Sequence, residues 1–352
     1  MGNSSITIKE IARLLGVSKS TVSRALRDSS EISDVTKAKV LELALKLNYS
    51  PNPIAISLLS NKTKTIGILV PKIDNPFFST AIAGAEEYAY NRGYHVMIYQ
   101  SHESFEREVL NVRHLATRRA DGLLVSVSSQ TARYDHFLEL QSQGIPVVFF
   151  DRVPAEVNTH KVIVDDYKSS FEATEHLIHQ GCRKIAHVSG PLNLAICRNR
   201  LSGYKDALKA HNLPDPDEWV VSCEFSLEEG TERGYQLMAL RNRPDGIFAA
   251  SDRIGLGVHV ALRQLGYQIP EDVALIGFSD LSISALIEPA LSTVRQPSFE
   301  MGHQAAELLF SLIETKTNTP ASFETRVLTS DLIVRNSSKK STEIFKLPSE
   351  IP

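Results

Sequence analysis

The sequence predicts a small all-α head followed by an α/β body built from two parallel-sheet lobes. Helix caps and helical apolar spacing fill residues 1–48, whereas from residue 65 onward short apolar strands alternate with amphipathic helices. Such alternation is typical of parallel sheets joined by crossover helices. Two stretches of the body, around Asp121-Gly122 and around Asp245-Gly246, also resemble each other, which indicates two similar lobes. The predicted strands are 66–70, 95–99, 122–125, 147–150, 185–188, 247–249 and 273–276.

Three short helices account for the head. The first is predicted to begin at Thr7, because a threonine followed three residues later by Glu10 is a capping box, and to end at Gly16. Ser18 and Ser33 are placed to cap the second and third helices. The apolar positions expected to face the core are Ile8, Ile11, Ala12 and Leu15, then Val22, Ala25 and Leu26, then Val35, Ala38, Leu41, Ala44 and Leu45.

The spacing of Ala12, Gly16 and Val22 is typical of a helix-turn-helix, whose second helix lies in the major groove of DNA. Residues 1–65 hold ten Lys and Arg against five Asp and Glu, a net charge of +5; the whole chain carries −3, so the remainder carries −8. A basic end on an acidic chain indicates a nucleic-acid contact confined to that end. An ordinary three-helix bundle with a solvated face is the alternative. The outward residues predicted to reach bases and phosphates are Lys19, Ser20, Thr21 and Arg24.

Composition argues against several classes of protein. Hydrophobic residues form 42% of the 352 residues, enough for a full core. Three cysteines, Cys182, Cys197 and Cys223, are too few for a disulfide framework and indicate a reducing compartment. No apolar run approaches the ~18 residues that a membrane span needs, and no apolar signal core follows Met1, so a cytoplasmic location is expected.

Catalytic and cofactor motifs are poorly represented. The chain has no Gly-x-Gly-x-x-Gly after a strand and no Walker A loop, and the segment around Ser279 lacks the second glycine of a nucleophile elbow. His176, His179 and Cys182 are three residues apart and could gather around a metal. On an α-helix, however, each of these residues points about 60° away from the previous one around the helix axis. The three residues are therefore more typical of the polar end of a helix. We therefore predict no enzyme activity, no cofactor and no metal site.

Specific motifs recur from the head to the end of the body. The head carries Thr7-Ile8-Lys9-Glu10-Ile11-Ala12 and Gly16-Val17-Ser18-Lys19-Ser20-Thr21-Val22-Ser23-Arg24, followed by Tyr49-Ser50-Pro51-Asn52. The body carries Asn75-Pro76-Phe77-Phe78, Ala120-Asp121-Gly122-Leu123, Phe150-Asp151-Arg152, Arg200-Leu201-Ser202-Gly203-Tyr204 and Ile276-Gly277-Phe278. Together these motifs resemble the lactose/galactose repressor (LacI/GalR) family over about residues 6–336. The body also resembles periplasmic sugar-binding proteins of the ribose type.

The resemblance implies a sequence-specific transcriptional regulator, a repressor, that binds a pseudo-palindromic operator as a homodimer. It also implies hinge helices that pair and enter the minor groove, where Leu58 occupies the position of a wedge leucine. Ile56 departs from the family, which usually has Arg there, and this departure would alter the affinity of the hinge for DNA. A plain linker is the alternative for residues 54–59. The residues that the resemblance places on DNA are Thr7, Ser18, Lys19, Ser20, Thr21, Arg24, Tyr49, Asn52, Ala55 and Leu58.

The ribose-type resemblance implies a small-molecule effector, a sugar, bound in the cleft between the lobes. Phenylalanine rings suit the apolar faces of a sugar, and Asp and Arg suit its hydroxyls. Ser279 stands where the family commonly has Asp, so either Asp280 substitutes for it or the ligand differs there. A neutral monosaccharide is expected, and a phosphorylated sugar is the rival because two arginines also suit a dianion. The predicted effector-binding residues are Asn75, Phe77, Phe78, Asp151, Arg152, Arg200, Phe225, Asp252, Asp280 and Gln296.

The expected domain organisation follows from these segments. A helix-turn-helix domain at 1–50 precedes a hinge helix and linker at 51–64, a two-lobed effector-binding and dimerisation domain at 65–336, and a flexible tail at 337–352. The first lobe is expected to comprise about 65–162 and 292–322, and the second about 163–291 and 323–336. An exported sugar-binding transport component and a sugar-active enzyme are the alternatives, and they require a signal peptide and a catalytic motif respectively.

Overall fold

The computed structural model describes residues 6–49, 63–118, 120–315 and 322–340. The chain divides into two compact units, a head that ends at Thr63 and a body that begins at Lys64. Three residues expected to contact DNA through the hinge lie outside the described residues, namely Asn52, Ala55 and Leu58.

Residues 6–49 of the head form three helices, which all begin at their predicted caps, and the first ends at the predicted Gly16. Glu10 accepts a hydrogen bond from the N–H of Thr7 (2.9 Å), and Gly16 adopts the left-handed conformation (φ 66°) where the first helix ends. Ser18 accepts the N–H of Thr21 (3.0 Å) at the start of the second helix. The helices are α1 (Ile8–Leu15), α2 (Lys19–Ala25) and α3 (Asp34–Lys46).

Helix α3 presents a different face to the head core from the one predicted. Val40 and Ala44 are buried, whereas Val35 and Leu45 are 67% and 79% exposed. The apolar residues of this helix lie on two overlapping faces, and the face that contains Val40 packs against α1 and α2. The buried core of the head consists of Ile11, Ala12, Val22, Ala25, Val40 and Ala44.

The first lobe of the body is a fully parallel six-stranded sheet with helices on both faces. Its strands are β1 (Thr65–Val70), β2 (His95–Gln100), β3 (Gly122–Val125), β4 (Val147–Phe150), β5 (Lys161–Val164) and β11 (Thr325–Leu328), in the order β11-β5-β4-β3-β1-β2. Helices α4 (Pro76–Tyr90) and α11 (Ser298–Thr315) cover one face, and α5 (Phe105–Thr117) and α6 (Asp135–Ser142) cover the other. Among the described residues, no helix, α11 included, combines the length and the apolar content needed to cross a bilayer.

The second lobe repeats this plan with one antiparallel edge strand. Its strands are β6 (Ile185–Ser189), β7 (Val220–Ser222), β8 (Gly246–Ala249), β9 (Ala274–Phe278), β10 (Ser292–Arg295) and β12 (Asp331–Ile333), in the order β12-β10-β9-β8-β6-β7. Only β12 runs antiparallel, against β10. Helices α7 (Asp166–His179) and α8 (Ala195–Ala210) pack on one face, and α9 (Leu227–Met238) and α10 (Asp252–Gln264) on the other.

The chain crosses between the lobes three times, which corrects the predicted lobe boundaries. It crosses between β5 and α7, between β10 and α11, and between β11 and β12. The segment 292–295 was expected in the first lobe, but it pairs with β9 in the second. The segment 325–328 was expected in the second lobe, but it pairs with β5 in the first. Strand pairing, which no local pattern encodes, decides both assignments.

The start of the predicted flexible tail is an ordered part of the second lobe. Ser337 and Ser338 are fully buried. The Ser337 hydroxyl accepts the N–H of Ser292 (2.7 Å) and donates to the carbonyl of Leu275 (2.6 Å). Residues 337–340 therefore belong to the body, and the expectation of a tail beginning at 337 is wrong for them.

We expect Ser337→Ala to destabilise the body by about 1–3 kcal/mol, because it leaves a buried N–H and a buried carbonyl without that hydroxyl partner. Thermal or urea unfolding followed by circular dichroism measures the loss. Lys339→Ala, at an exposed neighbouring position, is the matched control and should leave stability unchanged. Equal stability of the two variants would contradict the assignment of this segment to the folded body.

Candidate functional site

Helix α2 presents a polar surface that suits contact with DNA. Lys19, Ser20 and Arg24 are exposed, and Thr21 is half-buried beside the cap residue Ser18. The cap hydrogen bonds keep the first turn regular, so the side chains that follow point away from the head core in a fixed order. The structure thus brings together five of the residues predicted to contact DNA.

Arg24 is held by an ion pair that can be exchanged for a DNA contact. Its Nη1 lies 2.6 Å from Oε2 of Glu31, and both side chains are more than half exposed. Exposed ion pairs contribute only ~0–1 kcal/mol, so a phosphate or a guanine edge can replace this partner. The other two predicted residues of the head lie outside α2: Thr7 is exposed at the start of α1, and Tyr49 packs half-buried against the head core.

The candidate effector site lies between the two lobes, where the carboxyl ends of the strands of both sheets meet. Ligands of open α/β sheets bind at this edge. The cleft has a volume of about 340 Å³. It is lined from the first lobe by Lys72, Asn75, Phe78, Glu103, Ser129, Gln130 and Arg152, and from the second by Glu224, Phe225, Ser226, Glu229 and Arg253.

Asn75 and two phenylalanines form one wall of the cleft. The Asn75 side chain caps α4 by accepting the N–H of Phe77 (3.1 Å), and Pro76 occupies the first helical position. The rings of Phe77 and Phe78 meet edge to face with their centroids 5.1 Å apart. Phe78 lines the cleft and Phe77 supports it from behind. Phe225 lines the cleft from the second lobe.

Arg152 is fixed by a carboxylate that the sequence analysis missed. Its Nη1 donates to both oxygens of Glu103 (3.0 and 2.9 Å), and the same carboxylate accepts the N–H of Ser129 (2.7 Å). Burial raises the pKa of Glu103, but the charge of Arg152 and the Ser129 N–H outweigh it and leave that pKa below its usual value. The guanidinium lies over the rings of Phe225 and Phe78, 4.9 and 5.6 Å from their centroids. Arg152 is therefore a rigid part of the cleft wall.

Asp151, Arg152 and Gln296 place buried polar atoms beside one another behind this wall. Burial raises the pKa of Asp151 to about 6, against the opposing charges of Arg152 and Arg200. Within the described residues, Nε of Arg152 and Nε2 of Gln296 are buried donors without a hydrogen-bond partner. Buried donors normally have partners, so this group is suited to a ligand that supplies acceptor oxygens.

Arg200 is not among the residues that line the cleft, and its role as an effector contact stays a prediction. It is 2% exposed, and its Nε and Nη2 lie 2.8 and 2.7 Å from Oδ1 of Asp166. Its Nη1 donates to the carbonyl of Ala250 (2.6 Å), and its guanidinium stacks 3.7 Å from the ring centroid of Phe278. The Arg200 guanidinium is thus held by groups of the second lobe itself.

Asp252 and Asp280 also have partners within the protein. Asp252 is fully buried and accepts hydrogen bonds from the N–H of Leu281 and the hydroxyls of Ser284 and Thr293, at 2.6–2.8 Å. Neither aspartate is among the residues that line the cleft, and their role as effector contacts stays a prediction.

Asp280, one position after the site where the family commonly has Asp, accepts a hydrogen bond from Nη2 of Arg335 (2.7 Å) in the second lobe. Ser279, at the family position itself, donates its hydroxyl to Oε1 of Gln296 (3.0 Å). Substitution by Asp280 and a different ligand contact at this position both stay predictions.

Backbone strain is concentrated at the strand ends that form the site. Glu103, Asp151 and Asp280 have φ values of 61°, 58° and 56°. They follow β2, β4 and β9 respectively. Non-glycine residues persist in this left-handed region when their surroundings determine the conformation, and such positions cluster at ligand sites.

Eight of the lining residues were not predicted. Lys72, Glu103, Ser129, Gln130, Glu224, Ser226, Glu229 and Arg253 have no place in the motifs that the sequence displays. Most of these residues follow a strand by two to five positions. Ligands of open α/β sheets bind at the carboxyl ends of strands, so the position of these residues after a strand is the sequence signal that indicates them.

Besides the contact of Arg152 with Phe225, polar side chains of the described residues join the lobes at the cleft. Nη2 of Arg253, on α10, lies 3.3 Å from Oδ2 of Asp74, in the loop before α4. The side chain of Asn193, in the second lobe, donates to the carbonyl of Ser129 in the first. The lobes are therefore in contact beside the cleft as well as through the three chain crossings.

Known proteins share both units of the chain. Residues 7–52 match a family model described as bacterial regulatory proteins, lacI family, and residues 174–338 match a periplasmic binding protein-like domain. The chain is 34% identical to the HTH-type transcriptional repressor PurR of Vibrio vulnificus, over 95% of this chain and 99% of that protein. It is also 34% identical to the ribose operon repressor of Haemophilus influenzae, over 94% and 98%. A LacI family transcriptional regulator from Enterococcus faecium, solved with bound ribose, is 29% identical with a TM-score of 0.70 and covers 78% of this chain and 98% of its own.

We expect Arg24→Ala to weaken binding to a preferred DNA duplex by about 1–3 kcal/mol and to relax the preference at one base position of each half-site. Glu31→Gln should strengthen binding, because it removes the carboxylate that holds the guanidinium. Fluorescence anisotropy on a set of single-base duplex variants measures both effects.

Arg118→Ala, at an exposed arginine of the body, is the control and should bind DNA like the wild type. Weakening of all duplexes to the same degree by Arg24→Ala would show that Arg24 contacts phosphate rather than a base.

Proposed function

The chain belongs to the lacI family of bacterial regulatory proteins and is an effector-controlled, DNA-binding repressor, and we propose that its effector is a small neutral sugar held in the cleft between the lobes. We further propose that it acts in the cytoplasm, as a homodimer on a pseudo-palindromic operator, and that it has no enzyme activity. The effector proposal rests on the composition of the cleft wall. Its cations and carboxylates are equal in number, and it carries two phenylalanine rings, Phe78 and Phe225. Beside the rings lie buried hydrogen-bond donors of Arg152 and Gln296 that have no protein partner among the described residues.

The charges of the cleft wall favour a neutral ligand. Three cations, Lys72, Arg152 and Arg253, are matched by three carboxylates, Glu103, Glu224 and Glu229. Because Arg152 is paired with Glu103 and Arg253 with Asp74, no pair of free cations is left to neutralise a phosphate. The rival proposal of a phosphorylated sugar rested on Arg152 and Arg200 acting together, and Arg200 is paired with Asp166 instead.

The polar and aromatic groups favour a sugar among neutral ligands. The rings of Phe78 and Phe225 face the cleft from opposite lobes and can cover the apolar faces of a sugar ring. The donors on Arg152 and Gln296 match hydroxyl oxygens, and the Asp151 carboxylate can accept a hydroxyl proton. The ribose bound to the E. faecium regulator supports the same ligand class for this chain.

The proposed mechanism couples effector binding to operator affinity through lobe closure. A sugar that contacts Phe78 and Arg152 on one lobe and Phe225 on the other binds the closed arrangement better than an open one. Such differential binding shifts the population toward the closed form, with a coupling of about 1–3 kcal/mol, or ~5- to 150-fold in affinity for DNA.

DNA binding should be steeply dependent on salt. Three or four phosphate contacts per head, each contributing roughly −0.9 to the log–log slope, predict a slope near −5 to −7 for a dimer. Mobility-shift or anisotropy measurements between about 50 and 200 mM salt, with and without sugar, test the regulator and its effector together. A slope near zero on every duplex would contradict specific and non-specific DNA binding alike.

Calorimetry against a panel of sugars should find one neutral sugar that binds, and binding should weaken as the pH falls through about 6. The free carboxyl of Asp151 titrates near that pH, and only its charged form accepts the hydroxyl proton strongly. Affinity at pH 5 should therefore be about tenfold lower than at pH 7. Asp151→Asn should weaken binding at pH 7 and flatten the pH profile.

Asp135→Asn, at an exposed position on α6, is the matched control and should keep the wild-type profile. Binding of phosphorylated sugars or purines alone would overturn the proposed ligand class, although the family assignment would stand. A steep pH profile that persists in Asp151→Asn would show that another group controls binding.

A further inference from the structure

Three potential metal ligands meet on the outer surface of the second lobe. The ligating atoms of Glu175, His179 and His211 all lie within 4.8 Å of one another. Nε2 of His211 lies 3.0 Å from Oε1 of Glu175, and the rings of His211 and His179 meet edge to face with centroids 5.7 Å apart. His179 is exposed, and the other two residues are half-buried.

Two tightly packed helices hold these residues in place. Glu175 and His179 are four residues apart on the last turns of α7, so they share one face of that helix. His211 is the residue at which α8 ends. The two helices approach closely because Gly203 of α8 has no side chain; a Cβ there would overlap the carbonyl oxygen of Tyr167 on α7. The distance between the helices is therefore fixed by close packing.

We propose that Glu175, His179 and His211 form a binding site for a divalent transition-metal ion, with Zn²⁺ the best fit to the donors. Two imidazole nitrogens and one carboxylate oxygen are ligands that zinc takes in proteins, and water can occupy the fourth position on the solvent side. Ligand atoms around tetrahedral zinc are about 3.3 Å apart, given bonds of ~2.0–2.1 Å. Small rotations of these exposed and half-buried side chains are enough to close the remaining gap.

The arrangement differs from the grouping that the sequence suggested. His176 and Cys182 face elsewhere: Nε2 of His176 is hydrogen-bonded to the hydroxyl of Ser338 (2.9 Å), and the thiol of Cys182 is directed to the carbonyl of Asp245. Of the three residues considered from their spacing, only His179 belongs to the proposed site. Its partners come from one helical turn earlier and from the end of the next helix.

The proposed metal site is separate from the effector cleft. Helix α7 ends six residues before β6 begins, so the three ligands lie at the amino ends of the strands, the edge opposite to the cleft. The same two helices carry Asp166 and Arg200. A metal ion would join the ends of this helix pair, and its binding does not depend on the identity of the effector.

Titration of the full, untagged chain with Co²⁺ and Zn²⁺ tests the proposal. We expect one Co²⁺ per chain with the strong visible absorption of four-coordinate cobalt, displaced by Zn²⁺, and a thermal midpoint that rises with added Zn²⁺ because the ion binds only the folded chain. His179→Ala and His211→Ala should each lower affinity at least tenfold and remove the thermal shift, and Glu175→Gln should weaken binding without altering the fold.

His95→Ala, at an exposed histidine of the first lobe, is the control and should bind cobalt like the wild type. Failure of the wild type to bind Co²⁺ would overturn the proposal, as would undiminished binding by the folded His179→Ala and His211→Ala variants. Either result would assign the Glu175–His211 contact to a simple hydrogen bond between helices.

Discussion

The buried ion pair between Arg200 and Asp166 connects the elements on which the second lobe depends. Asp166 begins α7 directly after the chain enters this lobe, and Arg200 on α8 reaches it at 2.7 Å while also contacting Ala250 after β8 and Phe278 at the end of β9. Removing one member of such a pair leaves an uncompensated buried charge, at a cost of about 3–5 kcal/mol. The pair thus sets the relative positions of two helices and two strand ends beside the cleft.

The seven strands predicted from sequence include most of the interior of both sheets and the edge strand β2. Strands β1, β3, β4, β8 and β9 are mainly apolar and buried over nearly their whole length, as parallel strands covered on both faces must be. Five short strands were missed, because each includes polar or exposed residues that interrupt the apolar run: β5, β7, β10, β11 and β12. All three chain crossings begin at one of these missed strands, so the lobe boundaries were misplaced with them.

The residue types of the site were also more predictable than their partners. Asn75, Phe78, Arg152 and Phe225 line the cleft as the family resemblance implied. Arg200, Asp252 and Asp280 have the expected chemistry, but their hydrogen bonds go to residues between 13 and 55 positions away along the chain. A motif records which side chain is present at a strand end. It does not record which distant donor or acceptor the fold will bring to that side chain.

These pairings support the proposed control of the lobes by a neutral ligand. The ion pair between Arg253 and Asp74 joins the lobes, but Asp74 is largely exposed, so this contact contributes only ~0–1 kcal/mol. The Arg253–Asp74 ion pair therefore stabilises the closed arrangement of the lobes only weakly when no ligand is bound. Arg152 is paired with Glu103 within the first lobe, and across the cleft its guanidinium contacts the ring of Phe225 (4.9 Å to the centroid). A ligand that contacts Arg152 and Phe225 at once supplies the missing differential free energy, which is what an effector must do to shift a two-state equilibrium.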